Sequence, residues 1–146
     1  MSARMPELPL SAFPEHSVVP LRYGDTDRQG HINNVVFASF CETGRVNLIK
    51  DDLPRLEQDM TQFAIVRLVV EFRRELHWPG EVTIGTGVTK LGTSSVTLRQ
   101  GIFSQKVCVA SGESIIVLMN METRKAAPLP DFLRERYLGL RIVDPH

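Results

Sequence analysis

The chain has 146 residues, with 17 Lys and Arg against 17 Asp and Glu, so no net field draws it to nucleic acid. That length suits one domain with a real core, and 42% hydrophobic residues argue against disorder. No apolar run approaches a membrane span. The start, "MSARMPELPL", lacks the long apolar stretch of a secretory signal. Cys41 and Cys108 stand alone without a CxxC, and a reducing cytoplasm is the expected setting.

Taken in order, residues 1–14 carry three of the nine prolines and are expected to form a flexible arm ahead of a single domain over 15–146. "HSVVPLRY" (16–23) reads as a first strand, with Pro20 marking an edge or bulged one. A polar loop follows, "RYGDTDRQGHINN", crowding two aspartates, a histidine and two asparagines together. The next segment, 33–50, predicts a helix. Its Val35, Val36, Phe37, Ala38, Phe40, Cys41, Val46, Leu48 and Ile49 cover most of the circumference, the mark of a buried helix. Asparagines at its start suit capping.

Val66, Leu68, Val70 and Phe72 then alternate with Arg67, Glu71 and Arg73 across 63–76, which is strand periodicity. "WPGE" breaks that run at 78–81. Three further strands, 82–91, 95–103 and 107–120, are joined by short turns as an antiparallel meander. "DFLRERY" (131–137) predicts a terminal helical turn. The economical assembly is α+β: one long helix packed in a curved antiparallel sheet of about five strands.

The string Tyr23-Gly24-Asp25-Thr26-Asp27, then Gly30-His31 and Asn33-Asn34, with Glu42 and Arg45 on the helix, resembles the hot-dog-fold acyl-CoA thioesterases of the 4-hydroxybenzoyl-CoA type. The order of elements resembles that family from the first strand to the last. The resemblance implies a hot-dog fold, hydrolysis of an acyl-CoA, no metal or added cofactor, and a homodimer or homotetramer. It also places the catalytic carboxylate on Asp27. A carboxylate can attack a thioester carbonyl directly or activate a water, and the sequence leaves both roles open. Asp25, two residues away, points to the other side of an extended segment and reads as a loop brace.

Asn34 can cap the helix, or its backbone N–H can polarise the thioester carbonyl as the resemblance implies. The first amides of a helix lack internal partners and sit at the positive end of the dipole. Such a contact contributes about 3 kcal/mol to an oxyanion. Gly30 permits close approach of backbone to a ligand, and His31 and Asn33 join it as substrate-binding candidates. His16, His77 and His146 are scattered, so no metal-ligand spacing is legible. Cys41 reads as a core residue. Glu42 either braces the loop or pairs with Arg45 at i+3.

Coenzyme A phosphates need cations or backbone amides. Arg73, Arg74, Lys90 and Arg99 are candidates, and the turn at Gly92, Thr93 and Ser94, which family members resemble, is the expected substrate-binding backbone. The leading function is acyl-CoA hydrolysis. An acyl-carrier-protein thioesterase, a hydratase of the same fold and a non-catalytic acyl-CoA-binding module are the alternatives. The chain has no second Asp-x-x-x-x-His block of the kind hydratases use.

Overall fold

The first long helix starts where the sequence places an asparagine able to close it. Asn33 is the N-cap of α1 (Asn34–Ile49), and its side chain accepts from the Val35 N–H. Phe37, Phe40, Cys41, Gly44, Arg45, Leu48 and Ile49 form the buried stripe of α1, at the 3–4 residue spacing of one helical face. The computed structural model describes residues 4–143.

Around that stripe lie β1 (Glu15–Pro20), β2 (Thr61–Phe72), β3 (Glu81–Leu91), β4 (Ser95–Ser104) and β5 (Val107–Asn120). They form one antiparallel sheet in the order β1-β3-β4-β5-β2. Two further helices are α2 (Leu53–Gln58) and α3 (Asp131–Leu138). This is the α+β arrangement expected from the element order, and the hot-dog fold that the resemblance implies.

The core has two halves between α1 and the sheet. One gathers Leu21, Ile32, Phe37, Phe40, Cys41, Val82, Ile84 and Ile102 at the start of the helix. The other gathers Leu48, Leu56, Leu98, Leu118, Leu133 and Tyr137 at its end. Burying each large side chain contributes about 1.5–3 kcal/mol. Gly44 sets how close the helix comes. A Cβ there would lie 2.6 Å from Thr86 Oγ1 and 2.8 Å from Ile84 Cγ2.

Three expectations change. First, α1 is not enclosed all round: Val35 is 71% exposed and Val46 43%. The sheet curls over one side only, and Ala38, Ser39 and Glu42 continue the open side. Second, the described part of the arm, residues 4–14, is held down rather than loose. Ala12 and Phe13 are buried against Phe103 and Cys108, and the guanidinium groups of Arg73 and Arg99 donate to the carbonyls of Met5 and Pro6. Gly85 and Gly101 leave room for Phe13 on the face of the sheet away from α1. Third, the first strand stops at Pro20, and Tyr23–Asp25 form a 3-10 turn.

Candidate active site

The polar loop is a small folded unit. Thr26 bridges Ile32 antiparallel, the Asp27 N–H donates to the His31 carbonyl at 2.7 Å, and the Gly30 N–H donates to the Asp27 carbonyl at 3.0 Å. Gly30 closes the turn at φ +85, a conformation that favours glycine.

Inside this loop the two aspartates part ways. Asp25 is buried and accepts from Arg22 Nη2 at 2.7 Å. That hydrogen bond holds its carboxyl below the usual carboxylate range, against the opposing effect of burial. Its backbone carbonyl also takes the Asn33 N–H at 2.8 Å. It braces the loop as expected, but from the end of the 3-10 turn and not from an extended segment.

Asp27 is exposed. Its Oδ1 accepts from the N–H groups of Gln29 at 2.9 Å and His31 at 3.1 Å. These bonds fix the carboxylate's direction while Oδ2 keeps no hydrogen-bond partner among the described residues. Asp27, His31, Asn34 and Phe37 line one cleft of about 380 Å³ with Phe72, Arg73, Arg74, Glu75 and Leu76.

The capping role left open for Asn34 falls to Asn33. Asn34 is the first residue of α1, so its N–H has no acceptor within the helix. The cleft is therefore lined both by Asp27, whose carboxylate is directed, and by Asn34, the first residue of α1. Gly30 and Asn33 shape the loop behind them.

The other candidates separate. Gly92, Thr93 and Ser94 lie at the Leu91 end of β3, while Glu81, at its other end, pairs with Pro20 beside the Asp27 loop. Eleven residues of strand, roughly 35 Å, lie between them. Within one chain this turn does not reach the cleft. Its carbonyls are engaged: those of Gly92 and Thr93 accept from Arg134 Nη2, and that of Ser94 accepts from the Leu118 N–H.

Arg99 is buried at 7% exposure and cannot meet a phosphate in solvent. Arg73 and Arg74 do line the cleft, each with bonds to the arm or to β5. Cys41 is fully buried, and burial pushes its thiol up to about 11, as suits a core residue. Glu42 is exposed and forms no ion pair with Arg45 among the described residues. Arg45 instead turns into the core, where its Nη1 has no hydrogen-bond partner among the described residues.

Sequence order also hides a convergence. His77 bridges His31 antiparallel, and one Glu75 carboxylate oxygen lies 3.4 Å from Nε2 of each. Two of the histidines that look scattered along the chain, His31 and His77, are neighbours in the fold.

A sequence profile of the Thioesterase-like superfamily matches residues 21–137. Among solved structures, a Pseudomonas aeruginosa PAO1 protein superposes with a TM-score of 0.84 at 20% identity, covering 94% of this chain and 98% of its own. A predicted thioesterase from Bacillus stearothermophilus gives 0.83 at 28% identity, covering 89% and 98%. A thioesterase from Thermus thermophilus, complexed with coenzyme A and zinc, gives 0.77 at 30% identity, covering 88% and 95%. No curated protein sequence matches the chain at significant similarity. No helix among the described residues is long and apolar enough to cross a membrane.

Proposed function

We propose, starting from the fact that the chain belongs to the thioesterase-like superfamily, that it hydrolyses an acyl-CoA to a free acid and coenzyme A. The observation carrying this reading is one cleft lined by both Asp27, whose Oδ2 has no hydrogen-bond partner among the described residues, and Asn34, the first residue of α1. The thioester carbonyl oxygen accepts from the Asn34 N–H, which withdraws charge from the carbon. Asp27 then either attacks that carbon or takes a proton from an attacking water. The C–S bond breaks and the thiolate leaves; one water is consumed in either route, attacking the thioester directly or hydrolysing the acyl–Asp27 anhydride, and its proton ends on the thiol. His31 and Phe37 wall the carbonyl's surroundings. The coenzyme A held by the Thermus thermophilus relative supports this choice of carrier over an acyl-carrier protein.

The active unit is a dimer in this reading. β2 is an edge strand carrying exposed Ile65, Val66, Leu68 and Phe72, and a long apolar edge is a pairing surface. A two-fold axis through the middle of β2 would pair it antiparallel with its copy. The partner's Thr61 end would then face this chain's Phe72 and its cleft. The partner's Gly92–Ser94 turn would follow at about three strand spacings, roughly 14 Å. The turn that is remote within one chain thus becomes the second chain's contribution to the coenzyme.

The experiment is a panel of aliphatic and aromatic acyl-CoA thioesters assayed for free thiol release. Turnover of at least one supports hydrolysis. Tight binding without cleavage would favour the non-catalytic acyl-CoA-binding module, and cleavage confined to acyl-carrier-protein thioesters would move the carrier.

A further inference from the structure

The convergence of His31, Glu75 and His77 is unused by the hydrolytic reading. In the strand-like bridge, His31 and His77 stand directly opposite each other. The Ile32 N–H donates to the Leu76 carbonyl at 2.7 Å, which fixes the ribbon's register. Opposed residues of an antiparallel pair project to one face, and residues two apart share a face. Backbone pairing alone therefore brings Glu75, His77 and His31 to one side. The imidazole rings lie 4.8 Å apart, centroid to centroid, at 72°.

The distances fit ligands around an ion better than hydrogen bonds. Glu75 Oε2 is 3.4 Å from Nε2 of His31 and 3.4 Å from Nε2 of His77. Charge-assisted hydrogen bonds are shorter, about 2.7–2.9 Å. In a tetrahedral site with bonds of about 2.0–2.1 Å, neighbouring ligand atoms stand about 3.3–3.4 Å apart. All three donor atoms lie within 4.8 Å of one another, so closing the remaining edge needs a ring adjustment, not a backbone one. Two imidazoles and one carboxylate are a donor set suited to a borderline-soft divalent ion.

We propose that His31, Glu75 and His77 bind one divalent transition-metal ion of the zinc class, with water in the fourth position. His31 belongs to the Asp27 loop and the other two to the segment after β2, so the ion would tie that loop to the sheet. His31 and Glu75 line the same cleft as Asp27, and the ion would be a fixed positive charge at its mouth. The ligand set comes from this chain alone.

Binding is read without turnover, so failure here leaves the hydrolytic reading standing, and the reverse also holds. Untagged protein is stripped with chelator, dialysed, and titrated at pH 7.5 with zinc chloride by calorimetry. One ion per chain is expected, with affinity falling at least tenfold in Glu75→Gln and in His77→Gln but unchanged in His16→Gln. Circular dichroism checks that each variant is folded. If the first two fold poorly, X-ray absorption at the zinc edge of the wild-type complex decides instead. Two imidazole nitrogens per zinc support the site, and fewer overturn it. No saturable binding by the wild type, or affinity unchanged in both folded ligand variants, overturns it as well.

Discussion

Replacing Gly44 by alanine tests how tightly α1 is seated on the sheet. In an exposed helix this change would stabilise by about 1 kcal/mol, because alanine is the better helix former. Here the new methyl would sit 2.6 Å from Thr86 Oγ1 and 2.8 Å from Ile84 Cγ2, with the Gln100 amide also in its way. Those distances are too short to be absorbed without movement. Gln100 is itself tied down, since its Nε2 donates to the Cys41 carbonyl at 2.9 Å and to Thr86 Oγ1 at 3.1 Å.

Overpacking of this kind costs about 1–3 kcal/mol; three such contacts put Gly44→Ala at about 2–3 kcal/mol, and subtracting the helix-propensity gain of about 1 kcal/mol leaves a net loss of about 1–2 kcal/mol. For a chain of this size the midpoint should fall by about 3–8 °C. Thermal unfolding followed by circular dichroism measures it. Gly24→Ala, where nothing lies within 4 Å, serves as the control. An unchanged or raised midpoint for Gly44→Ala would refute the claim that helix–sheet contact is limiting here.

Asn33→Ala should cost about 1 kcal/mol of stability in urea titration through loss of the cap to the Val35 N–H. Asn34→Ala should cost less and leave turnover within a few-fold, since it keeps the amide; a collapse of turnover with folding intact would show that the side chain is the working group. The Arg22–Asp25 contact gives a pH signature. Arg22 keeps the folded Asp25 carboxyl below its unfolded value, so its contribution is present above about pH 4 and fades as pH falls through the folded value. The gap in urea midpoint between wild type and Arg22→Gln should therefore be open at pH 7 and narrow progressively as pH falls below about 4. A gap that persists unchanged would contradict that origin.

The meander was legible because 82–91, 95–103 and 107–120 are short apolar strands separated by turn residues, and all three stand within a residue of those bounds. The Asp27 loop was legible because its polar residues are local in sequence. What escaped depends on contacts between distant segments. Helix α2 begins with Leu53 and Pro54 and spans only six residues, too few for a periodicity to declare itself. The anchoring of the arm rests on Arg73 and Arg99, which donate to backbone carbonyls that composition cannot announce. The open side of α1 escaped because Val35 and Val46 are apolar whether or not anything covers them. His77 lies 46 positions after His31, and only the register that pairs their backbones makes them neighbours.

The role of Asp27 is tested most directly by steady-state kinetics of Asp27→Asn on whichever acyl-CoA the wild type cleaves best. The substitution keeps the side chain's shape, and its amide oxygen can still accept from the Gln29 and His31 N–H groups, so the loop should hold and KM should change little. Removing the carboxylate takes away the nucleophile or base, and kcat should fall by about two orders of magnitude or more. A folded Asp27→Asn protein with kcat within a few-fold of wild type would contradict the assignment of the chemistry to this residue.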